Sequence, residues 1–246
     1  MTTRREFVQK AALGTAGIAL GAKSYSQVLG ANDRVRVGIV GYSDRFRGSL
    51  HPSFMSLAKE MNFEFTAVSD IWRLRREDAD RYYKKLGLNL RLARNNEELF
   101  SGKDTDAVII STADFQHALH TKEAVEAGRD VYCEKPFAES MADARATKKA
   151  VETTGKIVQI GSQRRSAPNY IAANEYIKSG KFGKIVIVEM SWNVNQPGRW
   201  RRPSVVPLLK ATDTDWKRYQ MNRPQADFDP RKYLEFRLFW PYSSGI

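Results

Sequence analysis

Residues 35–48 read Val-Arg-Val-Gly-Ile-Val-Gly-Tyr-Ser-Asp-Arg-Phe-Arg-Gly. The apolar, β-rich start of this stretch, 35–40, predicts a buried strand that Gly41 ends. We expect a turn that runs to Gly48 and then a helix over about 49–61. A glycine directly after a strand lets the chain turn tightly and lets a ligand approach the backbone. The start of the next helix offers free N–H groups to a phosphate, so this stretch predicts a nucleotide-binding turn.

A second β-rich run, 63–69, ends at Asp70, whose carboxylate can accept hydrogen bonds from both hydroxyls of a ribose. Asp70 follows Gly48 at about the 20 residues typical of dinucleotide-binding units. The turn itself departs from the usual pattern, because Ser43 stands where a second glycine is common and the turn is about two residues too long. A purely structural turn is therefore the alternative.

The carboxylate of Asp70 disfavours a 2′-phosphate, so we expect NAD as the cofactor. NADP stays possible because three arginines follow closely, although a solvated helix face is the more ordinary interpretation of Arg73, Arg75 and Arg76.

Strands and helices continue to alternate after Asp70. Runs at 106–112 and 130–133 predict buried strands, and helices are expected over about 95–100 and 117–128. Alternation at this spacing predicts an α/β fold, a doubly wound parallel Rossmann sheet, over residues 33–155.

Residues 156–246 predict the start of a second domain of the α+β, open-sheet type. A short strand at 156–161, a helix at about 168–180 and a strand at 184–193 are expected there. A long stretch that is rich in arginine and proline follows.

The first 32 residues predict an export leader. Arg4 and Arg5, followed by Phe7 and an apolar stretch over 11–22, resemble a twin-arginine signal, which predicts delivery to the periplasm. An amphipathic N-terminal helix is the alternative. The apolar stretch is too short to cross a bilayer, so we expect no stable membrane insertion.

The charge and the cysteine count exclude two features. The net charge is +12, but the basic residues are scattered and form no nucleic-acid-binding motif, so we expect no nucleic-acid partner. Cys133 is the only cysteine, which excludes an internal disulfide, and a lone cysteine in an apolar run is usually a core residue.

Several motifs resemble the glucose–fructose oxidoreductase/inositol dehydrogenase family, usually called Gfo/Idh/MocA. They are Ser111-Thr112-Ala113-Asp114, His117, Ala127–Val131, Glu134-Lys135-Pro136, and the stretches 158–165, 180–184 and 229–240. Phe115 and Gln116 depart from the aromatic pair that often precedes the histidine. The resemblance covers residues 33–246.

The resemblance implies that the Glu-Lys-Pro triplet closes the Rossmann domain beside the nicotinamide and that Lys135 is the catalytic lysine. Such an ammonium can hydrogen-bond an alcohol oxygen and stabilise its negative charge as the carbon loses hydride. A surface lysine at a strand end is the alternative. His117 is the second catalytic candidate, and a role in capping the following helix is about as plausible.

The predicted cofactor-binding set combines the glycine turn, the strand ends, the triplet and one later polar residue: Gly41, Ser43, Phe46, Arg47, Asp70, Thr112, Ala113, His117, Glu134, Lys135, Pro136 and Gln163. No metal site is expected. Five arginines could bind an acidic sugar: Arg164, Arg165, Arg199, Arg201 and Arg202. The more ordinary expectation is that these side chains lie on the surface. Trp192 and Trp200 could stack on a sugar, with core packing as the alternative.

The resemblance implies an NAD-dependent oxidoreductase that moves a hydride between a sugar or polyol carbon and the nicotinamide, with a homo-oligomer expected for a full-length form. The family supplies a further Asp and His from a later helix, and the histidines of this chain are His51, His117 and His120. We therefore expect a truncated chain that is inactive alone. The alternatives are an NAD-dependent glycosidase, whose relatives tend to lose the lysine that this chain keeps, and a non-catalytic nucleotide- or sugar-binding protein.

Overall fold

The computed structural model describes residues 34–191, 193 and 195–243, so the predicted leader over residues 1–32 lies outside the described residues. Six parallel strands form one sheet in the order β3-β2-β1-β4-β5-β6. The strands are β1 (Val35–Val40), β2 (Phe63–Ser69), β3 (Arg91–Ala93), β4 (Ala107–Ile110), β5 (Asp130–Glu134) and β6 (Val158–Gly161). The strand order reverses between β1 and β4, which confirms the predicted α/β class with a doubly wound parallel sheet.

Helices connect the strands. They are α1 (His51–Leu57), α2 (Arg73–Lys85), α3 (Asn96–Ser101), α4 (His117–Glu126) and α5 (Met141–Thr154), and later in the chain α6 (Pro168–Lys178), α7 (Trp216–Gln220) and α8 (Pro230–Leu234). Among the described residues, no helix is long and apolar enough to span a bilayer.

The strands are buried on both faces, and alternate residues enter two separate cores. In β4, Ile109 packs into the core beneath α1 and α2, whereas Val108 and Ile110 pack into the core beneath α3, α4 and α5. Cys133 lies fully buried in the second core, as expected, and burial raises the pKa of its thiol to about 12.

The helix after Gly41 begins earlier than predicted. Residues 44 and 45 are already helical, and a π-helical turn (Phe46–Leu50) leads directly into α1, which ends at Leu57. The predicted helix over 49–61 was therefore wrong at both ends. A π-helical turn holds more residues than an α-helical one, and such turns are frequent at functional sites.

The sheet extends past residue 155, the predicted end of the first domain, because β6 pairs with β5. The predicted strand over 184–193 is wrong for the residues described there: 184–191 and 193 form no strand. A strand needs a neighbour for its N–H and C=O groups, and no described residue pairs with this stretch.

Candidate active site

A cavity of about 940 Å³ opens at the carboxyl ends of the strands, where the strand order reverses. Ligands bind at this position in open α/β sheets, and the volume is within the range of ligand pockets. Ten of the predicted residues line the cavity: Gly41, Ser43, Arg47, Asp70, Thr112, Ala113, His117, Glu134, Lys135 and Gln163. The fold therefore brings most of the predicted set together.

The prediction of Phe46 as a cofactor contact was wrong. Its side chain is fully buried in the core, where its ring packs 5.7 Å from that of Phe65, and it does not line the cavity. The cause is the early start of the helix, which turns Phe46 toward the sheet. Pro136 does not line the cavity either, and it contributes through its carbonyl group, which contacts the ring of His117.

Hydrogen bonds fix Gly41 and the helix start that follows it. Gly41 N donates to Ser69 O at 2.8 Å, and Ser111 Oγ donates to Gly41 O at 2.9 Å. Ser43, which replaces the usual second glycine, accepts a hydrogen bond from Phe46 N at 3.1 Å and so caps the helix start. The start of the helix faces the cavity, where its N–H groups favour a phosphate.

Asp70 is fixed in the cavity wall. Its Oδ2 accepts a hydrogen bond from Tyr42 N at 2.9 Å, and its Oδ1 accepts one from Trp72 N at 2.9 Å. The hydroxyl of Tyr233 donates to Oδ1 at 3.5 Å. Burial raises the pKa of Asp70 and outweighs the two backbone hydrogen bonds that act against it. Each carboxylate oxygen can accept two hydrogen bonds, so the group keeps capacity for a ribose hydroxyl.

The three arginines after Asp70 do not form one solvated face. The side chain of Arg75 is only 11% exposed and forms an ion pair with Asp44 at 2.9 Å, so the surface interpretation was wrong for this residue. Arg73, in contrast, is half exposed and pairs with Glu77 and Asp213.

His117 links the triplet to the end of β4. Its Nδ1 lies 2.7 Å from Pro136 O, and its Nε2 lies 3.3 Å from Thr112 O. Burial lowers the pKa of this histidine. Both ring nitrogens face carbonyl oxygens, so at least one of them donates a hydrogen bond. The side chain does not cap α4, and its position fits a residue that orients the triplet.

Glu134 is almost fully buried and connects the triplet to the glycine turn. Its Oε1 accepts hydrogen bonds from Arg45 Nε at 3.0 Å and Arg45 Nη2 at 2.7 Å, and its Oε2 accepts one from Lys135 N at 3.1 Å. Lys135 itself is exposed at the cavity and forms no salt bridge within the described part of the chain. Its ammonium group is therefore available to a substrate oxygen.

A buried polar network that the motifs did not indicate adjoins the cavity. Asn96 Nδ2 lies 2.8 Å from His120 Nδ1 and donates to Glu123 Oε2 at 2.9 Å, while Arg218 pairs with the other oxygen of Glu123. Burial raises the pKa of Glu123, but His120 and Arg218 together outweigh it and bring the value to about 2. The network fastens α7 to α3 and α4.

The later part of the chain packs over the cavity through Phe115 and Gln116, the two residues that depart from the family pattern. Phe115 packs edge-on against Tyr219 with ring centroids 5.5 Å apart, and Gln116 Nε2 donates to Tyr219 O at 2.7 Å. Both side chains thus anchor α7, which gives their departure from the pattern a structural role.

Of the later arginines, Arg202 is half-buried, and the other four are exposed, as expected: Arg164, Arg165, Arg199 and Arg201. Arg199 and Arg202 also line the cavity. Trp200 is only half-buried, and its ring contacts the guanidinium groups of Arg199 and Arg237 at 4.7 and 4.4 Å. Trp192 lies outside the described residues.

Comparison with known proteins agrees with this geometry. Residues 35–162, more than half of the chain, match the GFO_IDH_MocA family model, described as an oxidoreductase family with an NAD-binding Rossmann fold. The inositol 2-dehydrogenase of Salmonella typhimurium is 32% identical over 215 residues, which are 86% of this chain and 60% of that enzyme.

A second relative, the 1,5-anhydro-D-fructose reductase of Ensifer adhaerens, is 31% identical over 140 residues, 53% of this chain and 42% of that enzyme. The crystal structure of an oxidoreductase from Thermotoga maritima is similar with a TM-score of 0.55 and 27% identity, over 61% of this chain and 44% of that one. The chain spans about 60% or less of the length of these relatives. Together with the strand order and the glycine turn, the family match shows that the chain belongs to the Gfo/Idh/MocA family of NAD-binding oxidoreductases.

Proposed function

We propose that this protein transfers a hydride between a hydroxyl-bearing carbon of a sugar or polyol and a nicotinamide cofactor. The observation that carries the proposal is the position of Lys135: its side chain forms no salt bridge among the described residues and shares one cavity with the glycine turn and Asp70. The relative from Salmonella is an inositol dehydrogenase and the relative from Ensifer is a sugar reductase, which supports substrates of this class.

Different residues of the cavity would bind the cofactor, bind the substrate and hold the catalytic lysine in place. The helix start after Gly41 would hold the pyrophosphate, and Asp70 would accept a ribose hydroxyl. A nicotinamide held in this cavity would supply the acceptor or the donor of the hydride. Lys135 binds the substrate oxygen and moves its proton or stabilises its charge. Arg45 and Glu134 fix the backbone of Lys135 from one side, and His117 fixes Pro136 from the other.

A direct test is to mix NAD and a panel of polyols, including myo-inositol, with the full-length form of the protein and to measure NADH, since the 246-residue chain alone is expected to be inactive. The proposal predicts NADH formation that depends on the polyol. Release of an aglycone from an aryl glycoside with no net NADH would instead indicate the glycosidase reaction. Binding of NAD with neither reaction would indicate a protein that only binds its ligands.

We further propose that NAD is preferred over NADP. Calorimetry on the protein without its first 32 residues is expected to show tighter binding of NAD, because the Asp70 carboxylate repels a 2′-phosphate. Asp70→Ala should narrow this gap. Tighter binding of NADP by the unmodified protein would contradict the assignment and would point to the arginines after Asp70.

We also propose export through the twin-arginine pathway. Replacing Arg4 and Arg5 by lysine should leave the protein in the cytoplasm, since the arginine pair is the feature that this pathway recognises. Cell fractionation measures the outcome. Unchanged delivery to the periplasm would show that the leader is read by another route, or is not read.

A further inference from the structure

Three arginine side chains converge on Asp44, which directly follows Ser43, begins the helix and lines the cavity. Arg47 Nη2 lies 2.6 Å and Arg75 Nη2 lies 2.9 Å from Asp44 Oδ1, and Arg202 Nε lies 3.7 Å from Asp44 Oδ2. All four side chains line the same cavity. They come from three separate parts of the chain, so the fold and not a local motif creates the cluster.

The cluster lines the same cavity as Asp70, the carboxylate that would bind the ribose. Arg75 follows Asp70 by five residues and interacts electrostatically with both Asp44 and Asp70. Burial fixes this side chain, because it is only 11% exposed and also packs over the ring of Trp72 at 5.6 Å. A phosphate on the 2′-oxygen of that ribose would therefore meet Arg75 first.

Phosphate recognition needs guanidinium groups whose N–H donors are free. In this structure Asp44 Oδ1 pairs with one nitrogen of Arg47 and one nitrogen of Arg75, and the charge of Asp44 repels a phosphate. Without that carboxylate, Arg75 would present the freed donor to the cavity, and Arg47 would keep a longer ion pair with Asp78 at 3.9 Å.

We propose that Asp44 is a second determinant of cofactor choice, and that it excludes NADP by occupying the arginines that would otherwise bind the 2′-phosphate. The inference rests on the proposed preference for NAD and assigns part of it to a residue other than Asp70. Asp70 acts by accepting the ribose hydroxyl, whereas Asp44 acts by holding Arg47 and Arg75.

The test is calorimetric titration of the whole 246-residue chain with NAD and with NADP, for the unmodified protein and for Asp44→Asn. Asparagine keeps the size of the side chain and removes the charge. We expect the ratio of NADP to NAD affinity to rise by about 10-fold or more, the scale of one or two hydrogen bonds to a charged group. Because the pyrophosphate is common to both cofactors, an effect on pyrophosphate binding cancels in this ratio.

A double variant tests the role of Arg75, and a further variant serves as a control. Adding Arg75→Gln to Asp44→Asn should remove most of the gain, since Arg75 is the proposed phosphate ligand. Glu77→Gln is the matched control. Glu77 lies on α2, like Arg75, but it pairs with Arg73 and not with the cluster. The ratio of NADP to NAD affinity should therefore not change in this variant.

The outcomes separate this proposal from the one on which it rests. If the unmodified protein binds NADP more tightly, the preference for NAD itself is wrong. If the unmodified protein prefers NAD but Asp44→Asn leaves the ratio of NADP to NAD affinity unchanged, Asp44 has no role in the choice of cofactor. That result would overturn the inference. A gain for NADP that persists in the double variant would also contradict the role given to Arg75.

Discussion

Replacing Lys135 by alanine is expected to lower the turnover of the catalytically active protein by about 100-fold or more, the scale of a lost acid–base or charge-stabilising group. The affinity for NAD should change little, because the pyrophosphate and ribose contacts proposed above come from Gly41 and Asp70. Steady-state kinetics and calorimetry on the same preparation measure both effects.

The matched control is Lys122→Ala, which removes a lysine that pairs with Glu126 on the outer face of α4. Its turnover should equal that of the unmodified protein. Near-normal turnover in Lys135→Ala would return Lys135 to the alternative of a surface lysine. A loss of NAD affinity equal to the loss of turnover would place Lys135 in the cofactor site and not at the reacting atoms.

Replacing Gly41 by alanine is expected to lower the free energy of unfolding by about 2–5 kcal/mol, from the cost of a left-handed backbone and of overpacking together. Gly41 has φ +84°, and a Cβ atom there would lie 2.7 Å from Thr112 Cγ2 and 3.3 Å from the backbone of Thr112. Relief of that contact would move the strand end of β4 away from the turn, so NAD binding should weaken as well.

Gly87→Ala separates the two causes. Gly87 has a similar φ, +76°, but no atom lies within 4 Å of the position that its Cβ would take. In Gly87→Ala the free energy of unfolding should fall only by the cost of the left-handed backbone, about 1–2 kcal/mol. Urea denaturation measures both variants, and equal losses for Gly41→Ala and Gly87→Ala would show that the close approach of Thr112 is unimportant.

The sheet could be predicted from the sequence because its strands are short apolar runs that turn residues end, and both signals are local. Gly41 and Asp70 could be found for the same reason, since each directly follows a strand. The predicted start of the next helix was wrong because a π-helical turn has no simple sequence signal. The prediction for Phe46 was wrong with it.

Other parts of the site depend on contacts between distant residues. Tyr233 reaches Asp70 across 163 positions of the sequence, and Arg45 reaches Glu134 across 89. Neither pairing follows from periodicity or spacing. The predicted strand over 184–193 was wrong for the same reason. A β-rich run forms a strand only where a neighbouring strand accepts its hydrogen bonds, and the run itself does not reveal that neighbour.

The most direct test of the central claim, that this cavity is a nicotinamide dinucleotide site, is hydrogen exchange of the backbone amides with and without NAD, followed by mass spectrometry. NAD bound in this cavity should slow exchange in three places: the glycine turn and helix start at 41–47, the segment after β4 at 111–117 and the triplet at 134–136. Exchange in α6, which has no buried residue and lies outside the cavity, should not change. No slowing at 41–47, or slowing confined to other segments, would contradict the account.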